Sequence, residues 1–290
     1  MKPKIALVTG GYSGEAVISY QSAQTVKTAL QNTAYELVWI DVQKEAWYAL
    51  INEEKHVIDK ADFSFTINGE QTKFAAALIM LHGSPGENGL LQGYFDVLGM
   101  PYTSGGVLNM ALTFDKKKTT TQLKAMGYAV ANSTLLKNRT EIELKKEALR
   151  KLTLPVFVKP NNGGSSLGMS KVLLREELSH AINKAFDVDT QVLVEEELHG
   201  TEVTCGVCKL NGEIIALPPT EIVTDNLFFD FAAKYEKQSE EITPARLPKE
   251  GIERVQQTAV DIYEDLQCEG IVRIDFIYDG TTPAVIEVNT

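Results

Sequence analysis

The sequence predicts an α/β protein in which an N-terminal parallel α/β domain is followed by two α+β lobes with antiparallel sheets. In the first hundred residues, apolar stretches alternate with helical patterns, and AALIMLHG is apolar almost throughout, as buried parallel strands are. After Pro155 the apolar stretches follow one another with turn residues between them, and Asn211-Gly212 is a strong hairpin signal. We place the domains at 1–100, 101–192 and 193–290.

Composition and charge exclude several classes of partner. The chain has 290 residues with 28 Lys+Arg against 39 Asp+Glu, a net charge of −11. Such an excess repels nucleic acid, and the one dense basic cluster, Lys116–Lys118, is short, so we expect no nucleic-acid partner. No run of 18 apolar residues and no signal peptide is present, which predicts no membrane partner and a cytoplasmic protein. Cys205 and Cys208 lie three apart in a strand pattern and face opposite ways, so we expect buried thiols rather than a metal site.

The first elements in chain order are a strand, a glycine-rich turn and a helix. The turn GGYSGE has the layout of a phosphate-binding loop, because glycines precede a helix N-terminus. Glu15 argues against a phosphate there, since a carboxylate would repel it. His82 follows the strand AALIML, and ligands of open α/β sheets bind at the carboxyl ends of strands. Both residues are therefore candidates for a ligand site, although a lone histidine can also be structural.

The central elements include a second glycine-rich turn. GGVLNMALTFDKKKTTTQLKAMG predicts one or two helices, and VKPNNGGSSLGMSKV predicts a strand, a Gly/Ser turn and a returning strand. Glycines let backbone N–H groups approach an anion, and serine hydroxyls add donors. Lys159 at the strand end and Lys116 on the preceding helix supply positive charge. This pattern favours a phosphate site; an ordinary hairpin loop is the alternative, and the order of glycine and lysine excludes a Walker loop.

The last hairpin, IVRIDFIY and AVIEVNT, is predicted to have one apolar and one polar face. Alternation puts Ile286 and Val288 on the core side, and a turn centred near Thr281 sets Asp275 opposite Glu287. The polar face then carries Arg273, Asp275, Glu287 and Asn289. Facing carboxylates need a cation between them, and hard oxygen ligands suit Mg²⁺ bridging phosphates. A solvated edge hairpin is the alternative.

Two further stretches complete a predicted nucleoside-triphosphate site. LVEEELHGTE contains Glu195–Glu197 and Glu202, which could accept hydrogen bonds from ribose hydroxyls or could simply be solvated. FFDFAAKYEK places Lys234 and Tyr235 in a polar stretch between elements, where a lysine could bind an anion.

Seven stretches in chain order resemble the ATP-grasp superfamily and, within it, the D-alanine–D-alanine ligases: GGYSGEAVIS, LHGSPGENGLLQGYFDVLGMPYTSGG, FDKKKTT, FVKPNNGGSSLGMSKV, LVEEELHGTE, FFDFAAKYEK and RIDFIYDGTTPAVIEVNT. The resemblance implies the ATP-grasp fold and an ATP-dependent ligation of two D-alanines through an acyl phosphate, for peptidoglycan precursors. It also implies two Mg²⁺ ions, which Mn²⁺ can replace, and a homodimer.

Other functions remain open beside this one. Another ATP-grasp carboxylate–amine ligase, such as a D-Ala-D-Lac ligase, and a non-catalytic nucleotide-binding regulator are the alternatives. A dinucleotide-binding oxidoreductase is disfavoured, because the first turn is not G-x-G-x-x-G.

The resemblance also implies roles for individual residues. Glu15 would face the ammonium group of the first D-alanine, and His82 its carboxylate. The residues implied for the nucleotide are Lys116 and Lys159 (phosphates), Glu195 and Leu198 (adenine), Glu202 (ribose) and Lys234 (γ-phosphate). Ser165 would be hydrogen-bonded to Glu15 and Tyr235. Asp275, Glu287 and Asn289 would hold Mg²⁺, and Arg273 would stabilise the oxyanion of the tetrahedral intermediate.

One departure concerns the C-terminus. The sequence stops at Thr290, whereas members of the family continue past E-x-N-T into a Pro-Gly loop that supplies a backbone N–H to the oxyanion, and then a serine that binds the carboxylate of the second D-alanine. We therefore expect a 290-residue product to bind ATP poorly and to show little ligation.

Overall fold

The computed structural model describes residues 2–164, 167–224 and 239–290. Its contacts divide the chain into two compact units, Met1–Ala111 and Leu112–Thr290. The second unit contains two separate sheets. The finer division into three domains at residues 100 and 192 stays a prediction. Within the described ranges, no helix is long and apolar enough to cross a bilayer.

The first unit is built on a mixed sheet. Its elements are β1 Lys4–Gly10, α1 Ala16–Ala29, β2 Glu36–Val42, β3 Trp47–Ile51, β4 Glu54–Val57, the hairpin β5 Phe65–Ile67 and β6 Glu70–Thr72, β7 Ala76–Ile79 and α2 Leu90–Leu98. The five-stranded sheet has the order β4-β3-β2-β1-β7. β1 runs parallel to β2 and β7, as the apolar stretches predict. β3 pairs antiparallel with β2, and the edge strand β4 pairs antiparallel with β3, because short turns connect these strands and such turns can join only antiparallel neighbours.

This sheet brings two loops to one edge. Neighbouring parallel strands end on the same side of a sheet, so the chain leaves β1 at Gly10 and β7 at Ile79 side by side. The core beneath is closed by aromatic side chains, with Phe63, Phe65 and Phe95 at most 2% exposed. The loops that follow β1 and β7 therefore rest on a rigid base.

The second unit begins with helices and an antiparallel four-stranded sheet. Helix α3 spans Val107–Phe114, across the division between the units, and α4 spans Lys116–Ala125. There follow β8 Ser133–Leu136, α5 Glu141–Leu144, α6 Lys146–Lys151, β9 Val156–Pro160, β10 Ser170–Val172, α7 Leu178–Phe186 and β11 Val192–Glu196. The sheet order is β10-β9-β11-β8, with every pair antiparallel. The buried face of α7, formed by Ala181, Ile182 and Ala185, belongs to the same core cluster as the sheet's inner valines.

The larger sheet of this unit is also antiparallel. Its strands are β12 Thr201–Leu210, β13 Glu213–Ala216, β14 Thr220–Thr224, β15 Ser239–Ile242, β16 Ile271–Tyr278 and β17 Pro283–Asn289, and α8 Lys249–Asp265 packs on them. The order is β15-β14-β12-β16-β17, with β13 beside β12. Asn211 and Gly212 have φ of 53° and 89°, which confirms the predicted tight hairpin.

The last hairpin has the predicted register and one irregularity. Asp275 pairs with Glu287 as expected, but the next pair is Phe276 with Val285, so the ladder contains a β-bulge. Val285 and Val288 are the core residues of β17, with 1% and 4% exposure. The expectation that Ile286 would share the core face with Val288 is therefore wrong, because the bulge interrupts the two-residue alternation.

Candidate functional site

In the first unit, Glu15 lies against the loop that follows β7. It is 7% exposed at the N-terminus of α1. A β-carbon on Gly83, the residue after His82, would lie 2.8 Å from Glu15 Oε2 and 2.5 Å from Ser13 Oγ. Gly83 has φ of +72°, a left-handed conformation that favours glycine. The structure therefore brings the two predicted substrate residues, Glu15 and His82, into one loop cluster.

Helix α1 orients His82 through two serines. Ser19 Oγ accepts a hydrogen bond from the His82 backbone N–H at 2.9 Å, and Ser22 Oγ lies 3.0 Å from His82 Nε2. Sequence reasoning missed both serines. The signal was present, since residues three apart lie on one face of a helix that starts at the glycine-rich turn.

In the second unit, the three consecutive lysines have different partners. Lys116 Nζ donates to the Gly163 carbonyl at 2.6 Å and lies 3.4 Å from a Glu287 oxygen. Lys117 Nζ donates to Ser133 Oγ at 2.8 Å, and burial lowers its pKa. Lys118 pairs with Asp115 at 3.0 Å. Lys116 thus joins the Gly/Ser turn to the last hairpin.

Lys159, the other predicted phosphate lysine, forms an ion pair with Glu195. The two residues lie on the neighbouring strands β9 and β11, and their side chains are 7% and 12% exposed. Removing either partner would leave a buried charge without compensation, which is strongly destabilising. A polyphosphate near Lys159 would share its ammonium group with Glu195.

The other acids at the end of β11 also have partners within the protein. Glu196 accepts from the Thr153 backbone N–H and from the Asn132 amide, which lower its pKa. Glu197 pairs with Lys171 at 2.6 Å. These two acids have structural partners and are not merely solvated. Leu198 follows the strand and Glu202 lies on β12, both partly buried.

The polar face of the last hairpin exists as predicted. Arg273 binds both oxygens of Asp275, at 2.8 and 2.9 Å, and the Asn289 amide donates to Asp275 at 3.2 Å. Glu287 lies opposite Asp275 in the ladder and contacts Lys116. The negative charge of each carboxylate is therefore met by a cation from the protein.

This donor set fits a hard cation such as Mg²⁺. Two carboxylates and an amide on one face offer oxygen ligands, which this ion prefers. No group of three or more His, Cys, Asp or Glu side chains in metal-binding arrangement occurs in residues 2–164, 167–224 and 239–290. The predicted set has two such side chains, Asp275 and Glu287, so phosphate oxygens or water would have to complete the coordination.

Ser165, Lys234 and Tyr235 fall outside the described residues. A cavity of about 460 Å³ in the second unit is lined by residues that include Lys117, Lys124 and Ser133, and none of the predicted site residues lines it.

The family of the chain follows from sequence comparison. Residues 4–105 match the family described as D-ala D-ala ligase N-terminus, and residues 122–290 match the D-ala D-ala ligase C-terminus. The chain belongs to the D-alanine–D-alanine ligase family. The relative from Phocaeicola vulgatus is 44% identical over 292 residues, covering 100% of this chain and 90% of the relative. The relative from Parabacteroides distasonis is 45% identical, covering 100% and 88%. Both are named D-alanine–D-alanine ligase.

Solved structures of this family share the fold. The VanG D-Ala:D-Ser ligase from Enterococcus faecalis superimposes with a TM-score of 0.87 at 32% identity, covering 100% of this chain and 90% of that one. The ligase from Bacillus anthracis complexed with ATP gives 0.77 at 26% identity, covering 99% and 86%. These matches confirm the predicted ATP-grasp fold.

Proposed function

We propose that this chain joins two D-alanines into D-alanyl-D-alanine at the expense of ATP, for peptidoglycan precursors. The observation that carries the proposal is the contact of Lys116 with Glu287. It joins a predicted phosphate lysine to a predicted magnesium carboxylate, in a chain whose relatives are named D-alanine–D-alanine ligase.

The reaction has two steps. The carboxylate of the first D-alanine attacks the γ-phosphorus of ATP, which forms an acyl phosphate and releases ADP. The amine of the second D-alanine then attacks the acyl carbon, loses a proton and displaces phosphate. A carboxylate activated in this way has a good leaving group, so the protein's contribution is to position the reactants and to stabilise charge.

Glu15 and His82 would bind the first D-alanine. A carboxylate that is 7% exposed attracts an ammonium group more strongly than a solvated one, because water screens it less. His82, oriented by Ser19 and Ser22, would approach the substrate carboxylate. This assignment accounts for an acidic residue in a turn that otherwise resembles a phosphate loop.

The second unit would bind the nucleotide. Lys116 and Lys159 would neutralise phosphate oxygens, with Glu195 and Leu198 beside adenine and Glu202 at the ribose. Asp275, Glu287 and Asn289 would hold two Mg²⁺, or Mn²⁺, which when bound neutralise phosphate charge. Arg273 would stabilise the oxyanion formed when the amine attacks. The proposed roles of Ser165, Lys234 and Tyr235 remain those implied by the resemblance.

A D-Ala:D-Ser ligase is the second candidate. VanG, which carries that description, superimposes over the whole chain with a TM-score of 0.87. Competition between D-Ala, D-Ser and D-lactate as the second substrate separates this function and a D-Ala-D-Lac ligase from the first candidate.

We also propose a homodimer in the cytoplasm. The resemblance supports both statements, and the three cysteines, Cys205, Cys208 and Cys268, are free thiols, as a reducing compartment favours. Sedimentation of the purified chain tests the dimer.

The proposed function is tested by ADP release. The 290-residue chain is compared with a version extended past Thr290 by the corresponding segment of the Phocaeicola vulgatus relative. We expect release that depends on D-Ala, ATP and Mg²⁺ in at least one of them. Absence of D-Ala dependence in both would overturn the proposal, and robust activity of the 290-residue chain would contradict the expectation that it ligates poorly.

A further inference from the structure

Asn161 joins the start of helix α4 to the end of strand β9. It is fully buried, at 0% exposure. Its side-chain amide donates to Asp115 Oδ1 at 2.9 Å and to Gln191 Oε1 at 3.2 Å, and its Oδ1 accepts from the Lys117 backbone N–H at 3.0 Å. Its backbone carbonyl accepts from the Lys116 N–H at 3.1 Å. One side chain and its backbone thus fix two elements that are distant in sequence.

Asp115, which receives this amide, is the N-cap of α4. It is 6% exposed and accepts from the Lys118 backbone N–H at 3.0 Å. Burial alone would raise its pKa, but the hydrogen bonds from Asn161 and Lys118 and the Lys118 charge outweigh burial and lower that pKa. Asp115 is therefore ionised. Burying a carboxylate is costly unless hydrogen bonds compensate for its lost hydration, so the bond from Asn161 supports the cap.

The two predicted phosphate lysines lie on either side of this connection. Lys116 is the first residue of α4, directly after the cap. Lys159 precedes Asn161 by two residues on β9, and Gly163, whose carbonyl binds Lys116, follows it by two. The position of the Lys116 backbone relative to Lys159 is thus set through Asn161.

We propose that Asn161 is a positioning residue that sets the spacing of the Lys116 and Lys159 ammonium groups for nucleotide phosphates. This rests on the proposed function. Asn161 acts through the two lysines and does not itself touch the substrate. Loss of its side chain removes the bonds to Asp115 and to the Lys117 backbone N–H and leaves the backbone bond to the Lys116 N–H. The N-terminus of α4 is then held less firmly against β9, so phosphate contacts weaken while the adenosine moiety and D-alanine are bound as before.

The test uses Asn161→Ala in the 290-residue chain or in the version extended past Thr290, whichever releases ADP in a D-Ala-dependent way without the substitution. The KM for ATP and the calorimetric Kd for ADP should rise about tenfold or more, because a misplacement near 1 Å can cost about a hundredfold. The KM for D-Ala and the inhibition constant of adenosine, which lacks phosphates, should stay within about a factor of two, since neither ligand uses the lysine pair.

The matched control is Val172→Ala. Val172 is 1% exposed in the core of the same sheet and has no part in the connection, so it reports the effect of lower stability alone. Thermal unfolding measures the stability that each variant loses, so that their ligand affinities can be compared at known stability. If Asn161→Ala does not fold, Asn161→Ser replaces it. Its short hydroxyl cannot reach both Asp115 and the Lys117 N–H, so we expect the same weaker ATP and ADP binding with unchanged D-Ala and adenosine binding.

The possible outcomes distinguish a failure of the proposed function from a failure of the positioning role of Asn161. Absence of D-Ala-dependent ADP release from both the 290-residue and the extended wild-type chain refutes the proposed function. An active wild type, with Asn161→Ala equal to Val172→Ala in ATP and ADP affinity, overturns the positioning role. An equal loss of adenosine and ADP affinity also overturns it, because that result means a general collapse of the nucleotide site.

Discussion

Gly83→Ala should weaken D-alanine binding by displacing the Glu15 carboxylate. The added β-carbon would lie 2.8 Å from Glu15 Oε2, against about 3.4 Å for ordinary contact, so that oxygen must move by about 0.6 Å. Ser13 Oγ, at 2.5 Å, must move further. Both are ends of flexible side chains, so the cost in stability comes mainly from the left-handed backbone, about 1 kcal/mol. We expect the KM for D-Ala to rise about tenfold or more, because small misplacements at a site are costly.

Gly69→Ala is the matched control for this variant. Its φ of +83° is close to the +72° of Gly83, but a β-carbon there would meet nothing within 4 Å. Both variants should lose about 1 kcal/mol of unfolding free energy, measured with urea. Steady-state ADP release gives the KM values for D-Ala and ATP. The reasoning is refuted if both variants have the same KM for D-Ala, or if Gly83→Ala raises both KM values equally.

Three further predictions concern single residues. Glu15→Gln should raise the KM for D-Ala far more than that for ATP in the same assay, because it removes the charge opposite the ammonium group; equal effects would mean another role. Burial raises the pKa of Cys205 to about 12, so at pH 8 a thiol reagent should modify the partly exposed Cys208 and leave Cys205 intact until the protein unfolds; labelling of native Cys205, seen by mass spectrometry, would contradict its burial. Arg246 lowers the pKa of Glu221, so this pair stabilises the fold above the unfolded pKa of about 4.3. Glu221→Gln should cost about 1 kcal/mol at pH 7, and the deficit in urea unfolding should shrink as pH falls below about 4. A deficit independent of pH would show that the charge is irrelevant.

Much of the fold could be predicted because local rules and global structure agree. The run AALIML forms the parallel strand β7, and Asn211-Gly212 forms a tight hairpin. Strand alternation and the position of the turn sufficed to pair Asp275 with Glu287. The prediction failed at Ile286 in the same hairpin. The β-bulge depends on which backbone hydrogen bonds form, and the residue types alone do not reveal that.

The candidate site likewise combines features that the sequence predicts with features that only the tertiary structure shows. The sequence by itself determined which residue types are present in which loops: an acid in the first turn, lysines before and beside the Gly/Ser turn, and a polar face on the last hairpin. The tertiary structure alone decided their partners. Lys116, Lys117 and Lys118 are identical in type and consecutive, and the rotation of α4 gives them Glu287, Ser133 and Asp115. These partners come from β17, β8 and the N-cap of α4, and which of them each lysine reaches depends on the packing of helix and sheets rather than on sequence spacing.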